Sequence, residues 1–588
     1  MSNRPNLILW LLYGSCIFLL SRWGLSRMGI DGPGMDDAYI FFVYARNFAE
    51  GHGFVYNVGG EKVEGFSSML WTLVLSATWK AIGNFGWVLA AVCAALCSLC
   101  IVFAVKGFAR LSKLASLPLD DEKEVYWISA AWIGAWAVGS PGFVIWGGVS
   151  LMENGLWFLL WSSSVFLLLK YVVADRVDVL ELMWFGSLLG MLLLCRPEGS
   201  YWAILLLASL GIGRWILFPE GKGVFVCVSL PALICFGMFG VLVLFRQAYF
   251  GFPFPNTYYA KVSPDRIYNL IQGVKYLAKF GLWHYGVIIC IPFVLLSFFK
   301  GIVAIALRAR VKEAGDPATV CMGILGGLLV AGMCVPVLVG GDHFSMFRVM
   351  QVIWVWFPIP LFLWLRKSLP GFGYKHGPKG SVALIAVGIF VGFLSTEPWP
   401  SLSAKNPIAP EFRIVQRDLE AGNLLNRMFP GESKPSIGVV AAGAIAFAYQ
   451  GMVWDMMGLN YVDMAHSPGE RMGRKNHAAF HPDIFWQNPP EILFPFIASG
   501  AGQLRDAYLQ QGDTYQSDPH ADPTKGIRFT PEFLREYTLG TLDSGEGKLV
   551  GAWYRKDFLD EVGNGSFTPA FPEGTGGMET TKPGQSGQ

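Results

Sequence analysis

Charge is what this chain has least of. Asp, Glu, Lys and Arg make up 15% of its 588 residues, against about 25% in an ordinary soluble domain. Hydrophobic residues supply 53%, and the mean hydropathy is +0.43. This excludes a simple soluble globule and describes an integral membrane protein with room for one further domain. The net charge of +2 points to no partner of either sign. No basic tract or aromatic RNA-reading motif occurs, which argues against nucleic acid. Cysteine is missing after Cys334, so the C-terminal part is no disulfide-stapled scaffold. Cys97 and Cys100 have redox-pair spacing but lie in an apolar run, where cysteine behaves as a small hydrophobe. The stretch Asn6–Leu20 has no small-residue cleavage site, and Tyr13 spoils a lipoprotein-type box before Cys16. It reads as a retained helix.

Apolar runs near the roughly 20-residue bilayer-crossing length fall at 6–27, 84–105, 125–140, 154–170, 181–195, 200–217, 223–246, 282–299, 318–339, 349–365 and 381–396. Residues 66–81 are apolar but short, interrupted by Ser67, Ser68 and Lys80. Five loops rich in Lys and Arg, among them those with Lys106 and Arg110 and with Arg308 and Arg310, share one face only if residues 66–81 do not cross. By the positive-inside rule that face is cytoplasmic. The expectation is a polytopic α-helical membrane protein of eleven spans over residues 1–397. Its N-terminus is cytoplasmic, and residues 28–83 form a long first outer loop. An α/β domain at 398–562 sits outside.

The outer face then gathers the polar residues. Asp36 and Asp37 are adjacent carboxylates beside the first span, a costly placement near hydrocarbon unless they face a polar site. There a carboxylate takes a proton from an attacking hydroxyl or holds a metal. A solvated turn capping a helix that begins near Ala38 accounts for one of them. It does not account for Arg46, Asn47, Glu50, His52, Asn57 and Glu64 after it. Four further stretches share the face: Gly147 to Glu153, Arg196-Pro197-Glu198-Gly199, Tyr249 to Lys261 with Asn256 and Tyr258, and Gly340 to Phe344 with Asp342 and His343, followed by Arg348. Singly, each reads as a turn of Pro and Gly, and Arg196 with Glu198 as an interfacial ion pair. Together they supply what a lipid-phosphate sugar donor needs: cations for phosphate, aromatic faces for sugar and prenyl, and carboxylates for hydroxyls.

The run DDAYIFFVYARNFAEGHGFVYN…EGFSSMLWTL resembles the first-loop signature of GT-C glycosyltransferases. Within them it is similar to the branch of terminal arabinofuranosyltransferases and arabinosyltransferases of type IV pilins. RPEG, FPFPNTYYAKV and GGDHF…FR match that branch in order and spacing. EGFSS departs from the EGYTN of many relatives, which bears on acceptor contacts more than on chemistry. The resemblance implies transfer of a D-arabinofuranosyl residue from a decaprenyl- or undecaprenyl-phosphate type donor on the outer face of a bacterial inner membrane. The acceptor is a glycan or a pilin. Asp36 and Asp37 match the catalytic carboxylate. Arg196, Lys261 and Arg348 are the candidates for the phosphate. Arg46, Glu64, Glu153, Glu198, Asn256, Tyr258, Asp342 and His343 are the candidates for other substrate contacts. A divalent cation stays open, with Asp36 and Asp37 as its ligands if one binds.

In the outer domain, residues 436–442, 444–450 and 452–457 read as strand, helix and strand, with Gly443 at an ordinary tight turn. His466, His477 and His481 cluster, and His477 and His481 have the spacing of one helix face. No Glu or Cys completes a zinc set. The segment 458–477 is similar to the branch's outer domain and frames an acceptor groove there. The tail from Gly563 has a disordered composition. The alternatives are a transferase of another sugar such as mannose, a lipid-linked sugar transporter, and a scaffold. A transporter calls for charges deep in spans and an internal repeat, neither of which is seen. A scaffold gives the clustered charges no purpose.

Overall fold

The computed structural model describes residues 4–115, 122–218, 223–261, 265–311, 314–368, 402–468, 479–518, 522–563 and 566–571. The chain opens with the long apolar helix α1 (Arg4–Arg27), followed by α2 (Asp36–Ala49) and α3 (Met69–Ile82). Next come α4 (Gly86–Leu114), α5 (Glu122–Gly139), α6 (Pro141–Val144), α7 (Asn154–Val172), α8 (Val179–Cys195), α9 (Gly199–Leu217) and α10 (Val224–Tyr249). The short α11 (Asn256–Lys261) and α12 (Arg266–Trp283) precede α13 (Tyr285–Val311), α14 (Pro317–Val339) and α15 (Ile359–Ser368). Seven of these, α1, α4, α7, α9, α10, α13 and α14, are long and apolar enough to cross a membrane among the described residues. Residues 125–139 and 141–149 make an eighth if the pair, bent by 82°, counts as one span.

Eight of the eleven expected spans coincide with these helices, counting the bent pair as one, whereas the expected span at 181–195 is α8, an apolar helix of only 17 residues. With 14 residues, α3 is about 21 Å long at 1.5 Å per residue, too short for a hydrocarbon core of roughly 30 Å. The Ser68 hydroxyl accepts from Trp71 N at its start, and Gly83 closes it at φ 69°. The expected span at 349–365 differs. Two 3₁₀ turns, Arg348–Val352 and Trp354–Trp356, lead into α15. Pro358 and Pro360 remove helix donors there and restrain the residues before them. The indole groups take partners across the bundle instead. Trp354 Nε1 donates to Trp136 O at 3.1 Å and Trp136 Nε1 to Trp354 O at 2.9 Å. The expected span at 381–396 lies outside the described residues. Helices α13 and α14 approach closely through small residues: a Cβ on Gly323 would sit 2.4 Å from Gly301 Cα, the contact that substitutes for hydrophobic driving force in lipid.

The C-terminal region, called the outer domain after the side of the membrane expected for it, is α/β. Helix α16 (Ala409–Met428) leads into β1 (Ile437–Val439), α17 (Ala444–Ala448), β2 (Val453–Asp455), α18 (Val462–His466), β3 (Ile492–Ala498) and α19 (Ala501–Ser517). β4 (Tyr537–Asp543), β5 (Leu549–Arg555) and β6 (Phe567–Pro569) complete one six-stranded sheet of order β2-β1-β3-β5-β4-β6. β1 pairs in parallel with β2 and β3, and the remaining pairings are antiparallel. The expected strand–helix–strand at 436–457 is β1, α17 and β2. One buried apolar cluster runs without a break from α2 and α3 through Ile145–Met152 into α16, β1 and α17. The outer domain therefore shares its core with the first outer loop.

Candidate functional site

The turn after α6 sets the start of α2. Ser140 caps α6 by accepting from Phe143 N, and a π-helical turn follows at Ile145–Val149. There a Cβ on Gly147 would meet Cys97 Sγ at 2.2 Å and one on Gly148 would meet Ser21 Oγ at 2.5 Å, so only glycine allows the approach. The freed carbonyls hold the chain before α2: Val149 O accepts from Gly34 N at 2.9 Å and Ser150 O from Met35 N at 3.2 Å.

Asp36 and Asp37 are the first two residues of α2, and no side chain caps that helix. Asp36 caps a different one. Its carboxylate accepts from Gly443 N at 3.0 Å and Ala444 N at 2.8 Å, at the start of α17. At the other end of α17, Arg46 Nη1 donates to Phe447 O at 2.7 Å and stacks on the Phe447 ring. An acid at the N-terminus and a base near the C-terminus both suit the helix dipole. Asp36 is 7% exposed. Burial, and then the nearby Asp418 carboxylate, push its pKa up to about 7 against the pull of the two amides.

More of the loop grips the same domain. Tyr56 Oη donates to Ala442 O at 2.6 Å, and Tyr44 Oη to Asn460 Oδ1 at 3.1 Å. Asn57 pairs with Val453 through both N–H···O bonds at 3.0 Å, extending the sheet edge at β2. Asn256 Nδ2 donates to Gly458 O at 2.8 Å and Leu459 O at 3.1 Å. Glu64 holds Arg246 by a buried two-pronged ion pair, Nε to Oε2 at 2.7 Å and Nη2 to Oε1 at 2.8 Å. These contacts join loop, bundle and outer domain. Asp36, Arg46, Glu64 and Asn256 thus lie in an interlocked seam.

Asp37 lies one residue on and faces a different surrounding. Its side chain is 27% exposed, with Lys261 Nζ 3.9 Å from Oδ2. Tyr259, on the same short helix as Lys261, packs against His466 at 4.1 Å, and His466 stacks on Phe252 at 4.2 Å between ring centroids. Asp455 at the end of β2 is buried and accepts from Met457 N, Asn460 N and Asn460 Nδ2. Burial raises its pKa to about 6, while its amide donors and Lys261 oppose that. Lys261 thus faces carboxylates of both α2 and β2. Tyr258 is largely exposed beside Phe254.

A second polar cluster joins residues from three loops. Arg196 binds Glu153 through Nη1 and Glu198 through Nε at 3.2 Å and Nη2 at 3.1 Å. Burial opposes charge on Arg196, but Glu198 and Glu153 outweigh it and its pKa rises. Arg348 Nε donates to Asp342 Oδ2 at 2.8 Å, with its guanidinium over Phe344 and Trp146. His343 Nδ1 is 3.5 Å from Asp342 Oδ1. Arg196, Glu198 and Arg348 line one small cleft with Trp157 and Trp202. Glu153 Oε2 is buried with no hydrogen-bond partner among the described residues.

The site residues drawn from sequence thus divide into the seam, the Asp37–Lys261 pair with Tyr258 on the helix of Lys261, and the Arg196–Arg348 cluster. No three His, Cys, Asp or Glu side chains converge for a metal among the described residues. With both Asp36 oxygens taken by amides and a lysine beside Asp37, the adjacent carboxylates do not fit a shared divalent ion. His477 lies outside the described residues. Sequence reasoning missed Arg246, Asp455, Asn460 and Tyr44. Asp455 carried a signal, as the lone carboxylate in a run read as a strand.

No protein-family model matches the chain, and no curated protein matches its sequence. Among solved structures, the oligosaccharyltransferase of Archaeoglobus fulgidus in the apo form is 10% identical with a TM-score of 0.49, covering 91% of this chain and 73% of its own. ArnT from Cupriavidus metallidurans in the apo state is 13% identical with a TM-score of 0.42, covering 94% and 98%. AglB of Archaeoglobus fulgidus, in complex with an inhibitory peptide and a dolichol-phosphate, is 9% identical with a TM-score of 0.46, covering 94% and 75%.

Proposed function

We propose that this protein is a membrane glycosyltransferase that moves a sugar from a polyprenyl-phosphate donor to an acceptor hydroxyl at the extracytoplasmic face of a bacterial inner membrane. The observation that carries this is the Asp37–Lys261 pair, a carboxylate and an ammonium 3.9 Å apart and each about a quarter exposed, with Tyr258 and Tyr259 on the short helix that carries Lys261. Asp37 accepts the proton of the attacking hydroxyl as its oxygen bonds the anomeric carbon. The bond from that carbon to the phosphate oxygen breaks, and prenyl phosphate leaves with the electron pair. Lys261 offsets the phosphate charge, and Arg348, which Asp342 holds at 2.8 Å, is the second cation assigned to it. The leaving group is already a stabilised anion and needs little acid assistance, so base and cation suffice.

In this proposal Asp36 is a positioning residue: it holds α17 and the outer domain against α2, which keeps Asp37 opposite Lys261. The donor sugar is D-arabinofuranose, an assignment supported by the first-loop motif, and the acceptor is a glycan or a pilin. The test incubates purified protein with synthetic prenyl-phospho-arabinofuranose and candidate acceptors and follows prenyl phosphate release. Release dependent on acceptor and on Asp37 supports the proposal. No release with this donor or with the matching mannose donor overturns it.

A further inference from the structure

A cavity of about 480 Å³ lies in the outer domain between α16, α19 and the sheet, and Asp37 is not among the residues that line it. Its size falls within the roughly 300–1,000 Å³ of small-ligand sites. Its walls combine flat apolar rings, Phe494, Tyr508 and Trp553, with planar polar groups, Arg528, Gln511 and Asp522. The charges cancel: Arg528 Nη2 lies 3.3 Å from Asp522 Oδ1, and Arg417 Nε lies 2.7 Å from Asp418 Oδ1. Arg528 Nη1 donates to Gln511 Oε1 at 2.6 Å. Arg528 Nε is buried without a hydrogen-bond partner among the described residues. A buried donor left unpaired is destabilising, and a ligand oxygen would satisfy it.

The backbone is shaped to the cavity. Along a regular strand only alternate residues face one side, yet Phe494, Pro495 and Phe496 all line it. An irregularity in the pairing of β3 with β5 between Leu493 and Phe496 permits this, with Phe494 at φ 57°. Non-glycine residues in that conformation are strained and concentrate at ligand-binding sites.

We propose that this cavity is a second, non-catalytic site that binds a neutral sugar unit. Aromatic faces match the C–H faces of a sugar ring, and the arginine, glutamine and carboxylate groups match its hydroxyls. A prenyl chain would leave two ion pairs and the Arg528 donor facing hydrocarbon, and an anionic ligand would find no surplus positive charge. Val439, Val440, Ala441 and Ile445 line the cavity, and the turn they flank grips Asp36 through Gly443 and Ala444. A glycan seated there is held by the element that positions the first outer loop. Only the further identification of that glycan as the acceptor rests on the proposed transferase activity.

The test is saturation-transfer NMR on full-length protein with arabinofuranotriose and mannotriose as probes. At least one trisaccharide should bind wild type and Asp37→Asn equally, with at least fivefold weaker binding in Ala507→Phe, which fills the cavity, and in Gln511→Ala, which trims its exposed rim without touching the core. If Ala507→Phe fails to fold, Gln511→Ala alone decides. Binding of neither trisaccharide, binding indifferent to the variants, or displacement of the sugars by farnesyl phosphate overturns the proposal. Prenyl phosphate release by wild type reads the transferase proposal separately.

Discussion

In the seam, the groups that the first outer loop presents to the outer domain are matched one to one. Asp36 meets two amides, Arg46 and Tyr56 meet carbonyls, and Asn57 meets both groups of Val453. One residue later, the half-buried Asp37 carboxylate pairs with the Lys261 ammonium at 3.9 Å. The first arrangement spends its polar groups on cohesion. The second is a looser ion pair whose two side chains are each about a quarter exposed. Two adjacent aspartates thus meet different surroundings, because α2 turns successive side chains about 100° apart.

Four substitutions break or sharpen this contrast. The largest effect is expected from Asp37→Asn. Losing a general base lowers turnover by about 10²–10⁴-fold while the melting temperature stays near wild type, read by prenyl phosphate release and thermal unfolding in detergent. Next comes the Glu64–Arg246 pair: Glu64→Gln leaves a buried guanidinium without its counter-charge, at a cost of about 3–5 kcal/mol. The double variant with Arg246→Met should recover part of that, measured by thermal unfolding. Gly443→Ala places a Cβ 1.8 Å from Asp36 O, which forces the seam open. Hydrogen exchange in α17 should quicken, and activity should fall although Asp37 and Lys261 are intact. The smallest effect is a pH dependence. The Asp36 pKa is raised from an ordinary 3.8 to about 7, so the folded state holds a proton that the unfolded state releases. Stability from this group is greatest below about pH 4 and declines as pH rises to about 7. Asp36→Asn should flatten that slope between pH 4 and 7 in thermal unfolding.

Much of the fold was legible in the sequence. Apolar length marked the spans, and the loss of that length after residue 397 marked the outer domain. Ser68, Gly83 and Gly443 stand where a cap, a helix end and a strand–helix turn require them. The broken stretch at 348–368 was not legible because hydrophobicity alone does not register two prolines and the two indoles, Trp354 and Trp356, that bond across the bundle. The site was legible in kind more than in role. The pattern marked Asp36, Asp37, Glu64, Arg46 and Asn256 alike as polar residues at one membrane face. Their division into the seam and the Asp37–Lys261 pair depends on Gly443, Ala444, Phe447 and Arg246, some separated from them by more than 400 positions in sequence. Asp455 joins Lys261 only because β2 ends beside α11.

The most direct measurement is prenyl phosphate release from a synthetic prenyl-phospho-sugar by Asp37→Asn and Asp36→Asn side by side, each checked for folding. Near-complete loss in Asp37→Asn at unchanged stability, with measurable turnover retained in Asp36→Asn, is the expected result. Full turnover in Asp37→Asn, with loss confined to Asp36→Asn, would contradict the assignment of the base to Asp37.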